Sequence, residues 1–109
     1  MKQRARASKR SKVELYATVL EVIKRYPEGA RITRMSYGVG VPVDRLKSIL
    51  QSLISFGLVQ TLKDEEQGEN SIFYTLTPRA FEFLETYWKM QSFLESFGGT
   101  LSSDFYGTP

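Results

Sequence analysis

PVDRLKSILQSLISFGLVQTLKDEEQGENSIFYTL, residues 42–76, is the stretch that decides the fold. Its first part has helical periodicity. Val43, Leu46, Ile49, Leu50, Leu53 and Ile54 share one face. Asp44, Arg45, Ser48, Gln51, Ser52 and Ser55 lie mainly on the other, with Lys47 at the border. Pro42 suits the first turn of this helix, which is expected to run to about Phe56 and stop at Gly57. Residues 58–63 and 71–76 then read as two strands of a hairpin. Between them lies the polar turn Asp64-Glu65-Glu66-Gln67-Gly68-Glu69-Asn70. The outward helix face is built of short, lightly charged side chains. It suits close approach to a base-pair edge and suits an ordinary solvated surface equally.

Upstream, residues 31–39 are expected to form a short helix, with Gly38 and Gly40 both candidates for its left-handed cap. Before it, Ser11 and Glu14 have capping-box spacing and open a first helix. That helix is expected to end near Tyr26, because Pro27 disfavours helical geometry in the residue before it. It carries two apolar stripes on roughly opposite sides. One is Val13, Tyr16, Ala17, Leu20 and Ile23; the other is Leu15, Val19, Val22 and Tyr26. Burying both requires a second helix or a second subunit.

Downstream, Thr77 is an expected N-cap and Pro78 a first-turn residue of a helix reaching Phe97, where Gly98-Gly99 ends it. Ala80, Phe83, Tyr87, Met90, Leu94 and Phe97 alternate in a 3-4 rhythm, a heptad seam. Phe81, Leu84 and Trp88 form a separate stripe. The shorter stripe is assigned to the chain's own core and the seam to a second copy, with Phe83, Tyr87, Met90, Leu94 and Phe97 as the dimer interface. The competing reading merges both stripes into one broad buried face.

Two short-range helices, a turn, a third helix and a two-stranded wing outline a winged helix-turn-helix. The fold class is mostly α with a small β-hairpin wing (α+β), carrying a long C-terminal dimerisation helix. The expected organisation is a basic flexible arm over 1–10, the winged domain over 11–77, the coiled-coil helix over 78–97 and a disordered tail over 98–109.

At 109 residues the chain has room for one domain and a modest core. It has no cysteine and no histidine, so hydrolytic triads, thiolate zinc sites and most transition-metal sites fall away. No cofactor, metal or catalytic residue is expected. No apolar run approaches a membrane span and no signal-peptide core is visible. The expectation is a cytoplasmic protein with no membrane partner. Charge is asymmetric. Residues 1–47 hold 12 Lys/Arg against 4 Asp/Glu, whereas residues 48–109 hold 3 against 8. A basic half beside an acidic half points to nucleic acid.

Arg10-Ser11-Lys12, Thr33-Arg34-Met35-Ser36-Tyr37, Leu46, Leu50, Leu53, Gly57-Leu58-Val59 and Tyr74-Thr75-Leu76-Thr77 stand in an order and spacing that carry a family likeness. Over about residues 10–97 the chain resembles archaeal winged-helix regulators with a long C-terminal helix, the group that includes the 10a-type DNA-binding proteins. The resemblance implies a homodimer joined by an antiparallel coiled coil of the last helix, with two recognition helices and two wings on duplex DNA. Arg34 and Tyr37 match the family's second-helix motif. The chain departs from the pattern at Pro42, where a serine N-cap is common, and at Pro78-Arg79-Ala80 after the threonine. It departs again in its acidic wing tip, where Asp64, Glu65, Glu66 and Glu69 would repel phosphate.

The expected function is therefore binding of double-stranded DNA as a transcriptional regulator or a chromosome-associated protein of the nucleoid. Lys2, Arg4, Arg6, Lys9, Arg10 and Lys12 of the arm, with Arg31, Arg34 and Tyr37, would meet phosphates. A solubilising tail is the plainer reading of the arm. Arg45, Lys47, Ser48, Gln51 and Ser52 would face the major groove, Gln51 toward adenine and Arg45 toward guanine or phosphate. The alternative is a winged-helix protein-interaction module without direct DNA reading.

Overall fold

The computed structural model describes residues 11–63 and 72–98. The basic arm before Ser11, the acidic wing tip and the tail beyond Gly98 lie outside them. Helix α1 spans Lys12–Lys24. Ser11 caps it, its Oγ accepting from the Glu14 amide at 3.0 Å, so the serine half of the anticipated capping box is in place. Helix α2 is Ile32–Val39 and α3 is Val43–Ser55. Strands β1, Val59–Lys63, and β2, Ile72–Leu76, pair antiparallel with Val59 opposite Leu76 and Lys63 opposite Ile72. Helix α4, Pro78–Glu95, closes the described chain.

Both stripes of α1 are covered within one chain except at Val13, which is 43% exposed. Leu15, Val19 and Val22 are sealed on one side and Ala17, Leu20 and Ile23 on the other. Helices α2 and α4 and strand β2 all pack on α1, so it is the central rod of the fold and needs no second subunit to cover it. Leu46, Leu50 and Leu53 of α3 are buried in the same core as Met35 of α2. Burying each such side chain contributes about 1.5–3 kcal/mol, which fixes the inward face of α3 and leaves its polar face outward.

The turn between α2 and α3 is closed by side-chain chemistry. The Ser36 hydroxyl donates to the Val41 carbonyl at 2.6 Å, and the Gly40 amide bonds back to Ser36 O at 2.8 Å. Gly40 is the left-handed cap. Gly38 is not: it lies inside α2, and a Cβ there would stand 3.0 Å from Cγ1 of Val22. It is glycine so that α2 can approach α1 closely. Pro42 precedes α3 as its N-cap, in extended geometry, rather than occupying the first turn.

Thr77 also differs from expectation. It caps α4 by backbone position, yet its hydroxyl makes no cap bond and donates instead to Gly57 O at 2.6 Å. With Thr77 N bonded to Leu58 O, this ties the end of the wing to the turn after α3. A further element is a single residue of strand: Ala30 exchanges both backbone hydrogen bonds with Tyr74, at 2.9 and 2.8 Å, and extends the wing sheet by one bridge. One residue has no periodicity, so no sequence pattern announces it.

The largest correction concerns the stripes of α4. Ala80, Leu84 and Tyr87 are its buried residues, and Phe83 and Leu94 pack partly against the same core. Phe81 and Trp88, expected inside, are 50% and 49% exposed. Tyr87, expected at a dimer interface, is 8% exposed in the monomer core. At about 100° per residue the core stripe runs down the middle, with Phe81 and Trp88 on one flank and Met90, Phe93 and Phe97 on the other. The reason is tertiary. Helix α4 packs on α1 and on β2, and burial of Ala80, Leu84 and Tyr87 in the common core sets its rotation about its axis.

Candidate nucleic-acid interface

The outward face of α3 presents Asp44, Arg45, Lys47, Ser48, Gln51 and Ser55, all exposed. Ser52 is half-buried, and its carbonyl accepts from the Ser55 hydroxyl at 2.8 Å and from the Phe56 amide at 3.0 Å. By wheel position Ser48 and Gln51 hold the centre of the face, with Arg45 on one edge and Lys47 on the other. Asp44 shares that centre at the first turn, where the helix dipole favours its charge. Helix α3 thus offers a hydrogen-bonding ridge of short side chains, with one carboxylate, Asp44, at its first turn and a cation on each edge.

Helix α2 brings a second group together. Arg31 is its N-cap, and its guanidinium lies over the Phe73 ring, 4.8 Å from the centroid. Arg34 stacks likewise over Tyr26 at 5.6 Å. Arg34, Tyr37, Thr33 and Tyr26 line an open depression of about 630 Å³, and Tyr37 is 92% exposed at its edge. Cation–π contacts at exposed sites contribute about 0.5–1 kcal/mol each. Their larger effect here is to hold two long side chains in one orientation before any phosphate arrives, which reduces the ordering cost of binding. Among the described residues, Lys12, Arg31, Arg34, Arg45 and Lys47 form no ion pair; the ion pair there is Lys89 with Glu85, at 3.7 Å on the surface of α4.

The charges of this surface were readable in the sequence, but Phe73, Tyr26 and Thr33 were not. Tyr26 reads as an apolar stripe residue and Phe73 as strand alternation. Phe73 becomes a rest for Arg31 only once the wing folds back beside α2, and Tyr26 one for Arg34 only once α2 turns back on α1. Lys2, Arg4, Arg6, Lys9 and Arg10 fall outside the described residues. Among those described, no group of three or more Asp and Glu side chains converges as a metal site, and no helix is long and apolar enough to cross a membrane.

A family model described as winged helix-turn-helix matches residues 9–95. The chain belongs to the winged helix-turn-helix family. The winged helix-turn-helix read from the Arg10–Thr77 motifs stands. No curated protein matches the chain. Among solved structures, the winged-helix chain is similar to Sso10a-2, described as a DNA-binding protein from Sulfolobus solfataricus, at 20% identity and a TM-score of 0.63. That likeness covers 92% of this chain and 100% of the other. It is also similar to a mutant of MepR from S. aureus, at 13% identity and a TM-score of 0.66, over 76% of this chain and 61% of that one. A third is FabT of Streptococcus pneumoniae in complex with DNA, at 14% identity and a TM-score of 0.61, over 83% of this chain and 63% of that one. The chain thus spans about six tenths of MepR and FabT, and at these identities what it shares with all three is the fold.

Proposed function

We propose that the protein is a homodimeric, non-enzymatic regulator or chromosome-associated protein that binds duplex DNA at the nucleoid. The observation that carries this reading is the α2–α3 surface. There Arg31, Arg34, Arg45 and Lys47 form no ion pair among the described residues, and two of their guanidinium groups are held on aromatic rings. Arg31, Arg34 and Tyr37 would meet the phosphates flanking a major groove, while Ser48 and Gln51, with Arg45 beside them, would face base edges. The basic arm would add phosphate contacts. Two of the proteins similar in fold support the reading: one is described as DNA-binding and one stands in complex with DNA.

Dimerisation would use the uncovered flank of α4. Phe83, Thr86, Met90, Phe93 and Phe97 repeat in a 3-4-3-4 rhythm along it, a heptad seam rotated from the one read in the sequence. Phe93 and Phe97 already stack edge to face, 5.1 Å between centroids. Phe83, Met90 and Phe97 belong to both versions of the seam, Phe83 at its edge and partly packed on the monomer core like Leu94; Tyr87 and Leu94, on the core side of the helix, give way to Phe93 and Thr86.

The test is a selection from a random duplex pool at two salt concentrations, run on the native chain and two double variants. Arg31→Ala with Arg34→Ala is expected to weaken binding to every sequence about equally, by roughly tenfold, and to lower the salt slope by about 2. Arg45→Ala with Gln51→Ala is expected to flatten sequence preference while leaving most of the salt slope. An unchanged preference removes the base-reading role of α3. No binding to any duplex at micromolar protein and low salt refutes DNA binding and favours a protein-interaction module.

A further inference from the structure

Tyr37 is 92% exposed, more than any other large apolar side chain among the described residues. Its ring makes no aromatic or cation contact among them. A phosphate contact would use its hydroxyl alone and leave both ring faces in water. The ring borders the open depression of about 630 Å³ that Tyr26, Thr33, Arg34 and Gly38 also line. This falls within the range of small-molecule sites, about 300–1,000 Å³. Arg34 stands one helical turn before Tyr37 on the same side of α2. It lies over the Tyr26 ring, which sets its direction and leaves its N–H edge to donate. It forms no ion pair among the described residues. Gly38 adds no side chain, so the space beside the Tyr37 ring stays open.

An oriented cation beside a bare aromatic face matches two parts of one nucleotide, its phosphate and the face of its base. Paired bases in a duplex show only their edges, because their faces are stacked. A free face exists only where a base is unpaired. Position agrees with this chemistry. The first helix of a helix-turn-helix crosses the sugar-phosphate backbone, and a base that leaves the stack turns out about that backbone. Magnitudes decide which bases qualify. Stacking one base on an aromatic side chain strengthens binding by roughly tenfold. Drawing out a paired base costs at least as much, and the cost is least for a base already unpaired. The ring therefore collects bases that are already out and does not extract paired ones.

We propose that Tyr37 and Arg34 form a seat for one unpaired nucleotide of a DNA strand, so that the protein prefers bulged duplex to perfectly paired duplex. The base lies on the Tyr37 ring and its phosphate accepts from the Arg34 guanidinium. The proposal rests on the DNA-binding reading and gives α2 a task separate from the base-edge contacts of α3.

The full chain is titrated by fluorescence anisotropy against two short dye-labelled duplexes, identical except for a single unpaired thymine in the middle of one strand. The bulged duplex is expected to bind roughly tenfold more tightly. Tyr37→Phe keeps the ring and should keep that ratio, even where loss of the hydroxyl lowers both affinities. Tyr37→Ala should bring the ratio to about one, and alanine at an exposed helix position does not harm the fold. The alanine variant also separates stacking from the flexibility of a bulge, which would favour the bulged duplex with or without the ring. Equal affinity of the native chain for the two duplexes, a ratio that survives in Tyr37→Ala, or one lost in Tyr37→Phe overturns the seat. A ratio abolished by millimolar thymidine monophosphate assigns it to free nucleotides instead. Duplex binding without preference overturns the seat alone, whereas binding to neither duplex removes the DNA reading with it.

Discussion

Met90→Glu combined with Phe93→Glu is expected to turn a dimer into a monomer and to weaken duplex binding about 100-fold or more. The two positions are 43% and 62% exposed in the single chain, so the substitutions cost the monomer fold little. In a paired α4 the same positions would be buried against their counterparts. Two carboxylates per chain would then face each other across an apolar seam, and a desolvated unpaired charge costs several kcal/mol. The loss in DNA affinity follows from geometry rather than from any lost DNA contact. Two half-sites on one rigid dimer bind with high effective concentration, and separate monomers forfeit that gain. Light scattering reads the first effect and gel shift the second. The control is Phe81→Glu, on the opposite flank of α4 and 50% exposed, which should leave the dimer intact. A double variant that stays dimeric moves the interface elsewhere. A monomer that binds DNA as well as the native chain removes the bivalent reading.

That prediction depends on a rotation that the sequence did not determine. The heptad seam through Ala80 and Tyr87 and the stripe through Phe81 and Trp88 were both correct as periodicities. Which one turned inward depended on how α4 packs on α1 and β2, and helical spacing contains no distances. Where the signal was local, it was sufficient. The Ser11 cap and the Leu46-Leu50-Leu53 face depend on neighbours within a turn or two and stand as read, and of the two glycines read as candidate caps Gly40 is the one used. Thr77 shows the opposite case. A threonine before Pro78 has the local signature of a side-chain cap, but Gly57 O lies within reach across the fold, and the hydroxyl is taken by that bond. The candidate interface divides in the same way. Arg31 and Arg34 are visible as charges, but the rings that orient them are not, because Arg31 meets Phe73 only through the wing.

Gly29→Ala is expected to destabilise the fold by about 2–4 kcal/mol, a large share of what a domain of this size has. Gly29 has a φ of +123°, far from where an L-residue rests, and its amide bonds to Tyr26 O at 2.8 Å in the turn after α1. The turn delivers Ala30 to its bridge with Tyr74. A Cβ on Gly29 would stand 2.7 Å from the Phe73 Cβ, a backbone-proximal atom that cannot swing aside as a side-chain tip can. Gly40→Ala separates the two penalties. Gly40 also has positive φ, +78°, but a Cβ there meets nothing within 4 Å, so it carries the conformational cost alone, about 1 kcal/mol. Urea denaturation of both variants gives the difference. A gap of more than about 1 kcal/mol is the cost of pushing β2 away from the end of α1. Phe73 would move with β2, and the Arg31 guanidinium would lose its rest. Gly29→Ala should therefore weaken DNA binding even at temperatures where the variant is fully folded, while Gly40→Ala should act through stability alone. Equal destabilisation by the two substitutions would show that β2 yields freely. The bridge between Ala30 and Tyr74 would then have no part in holding the wing beside α2.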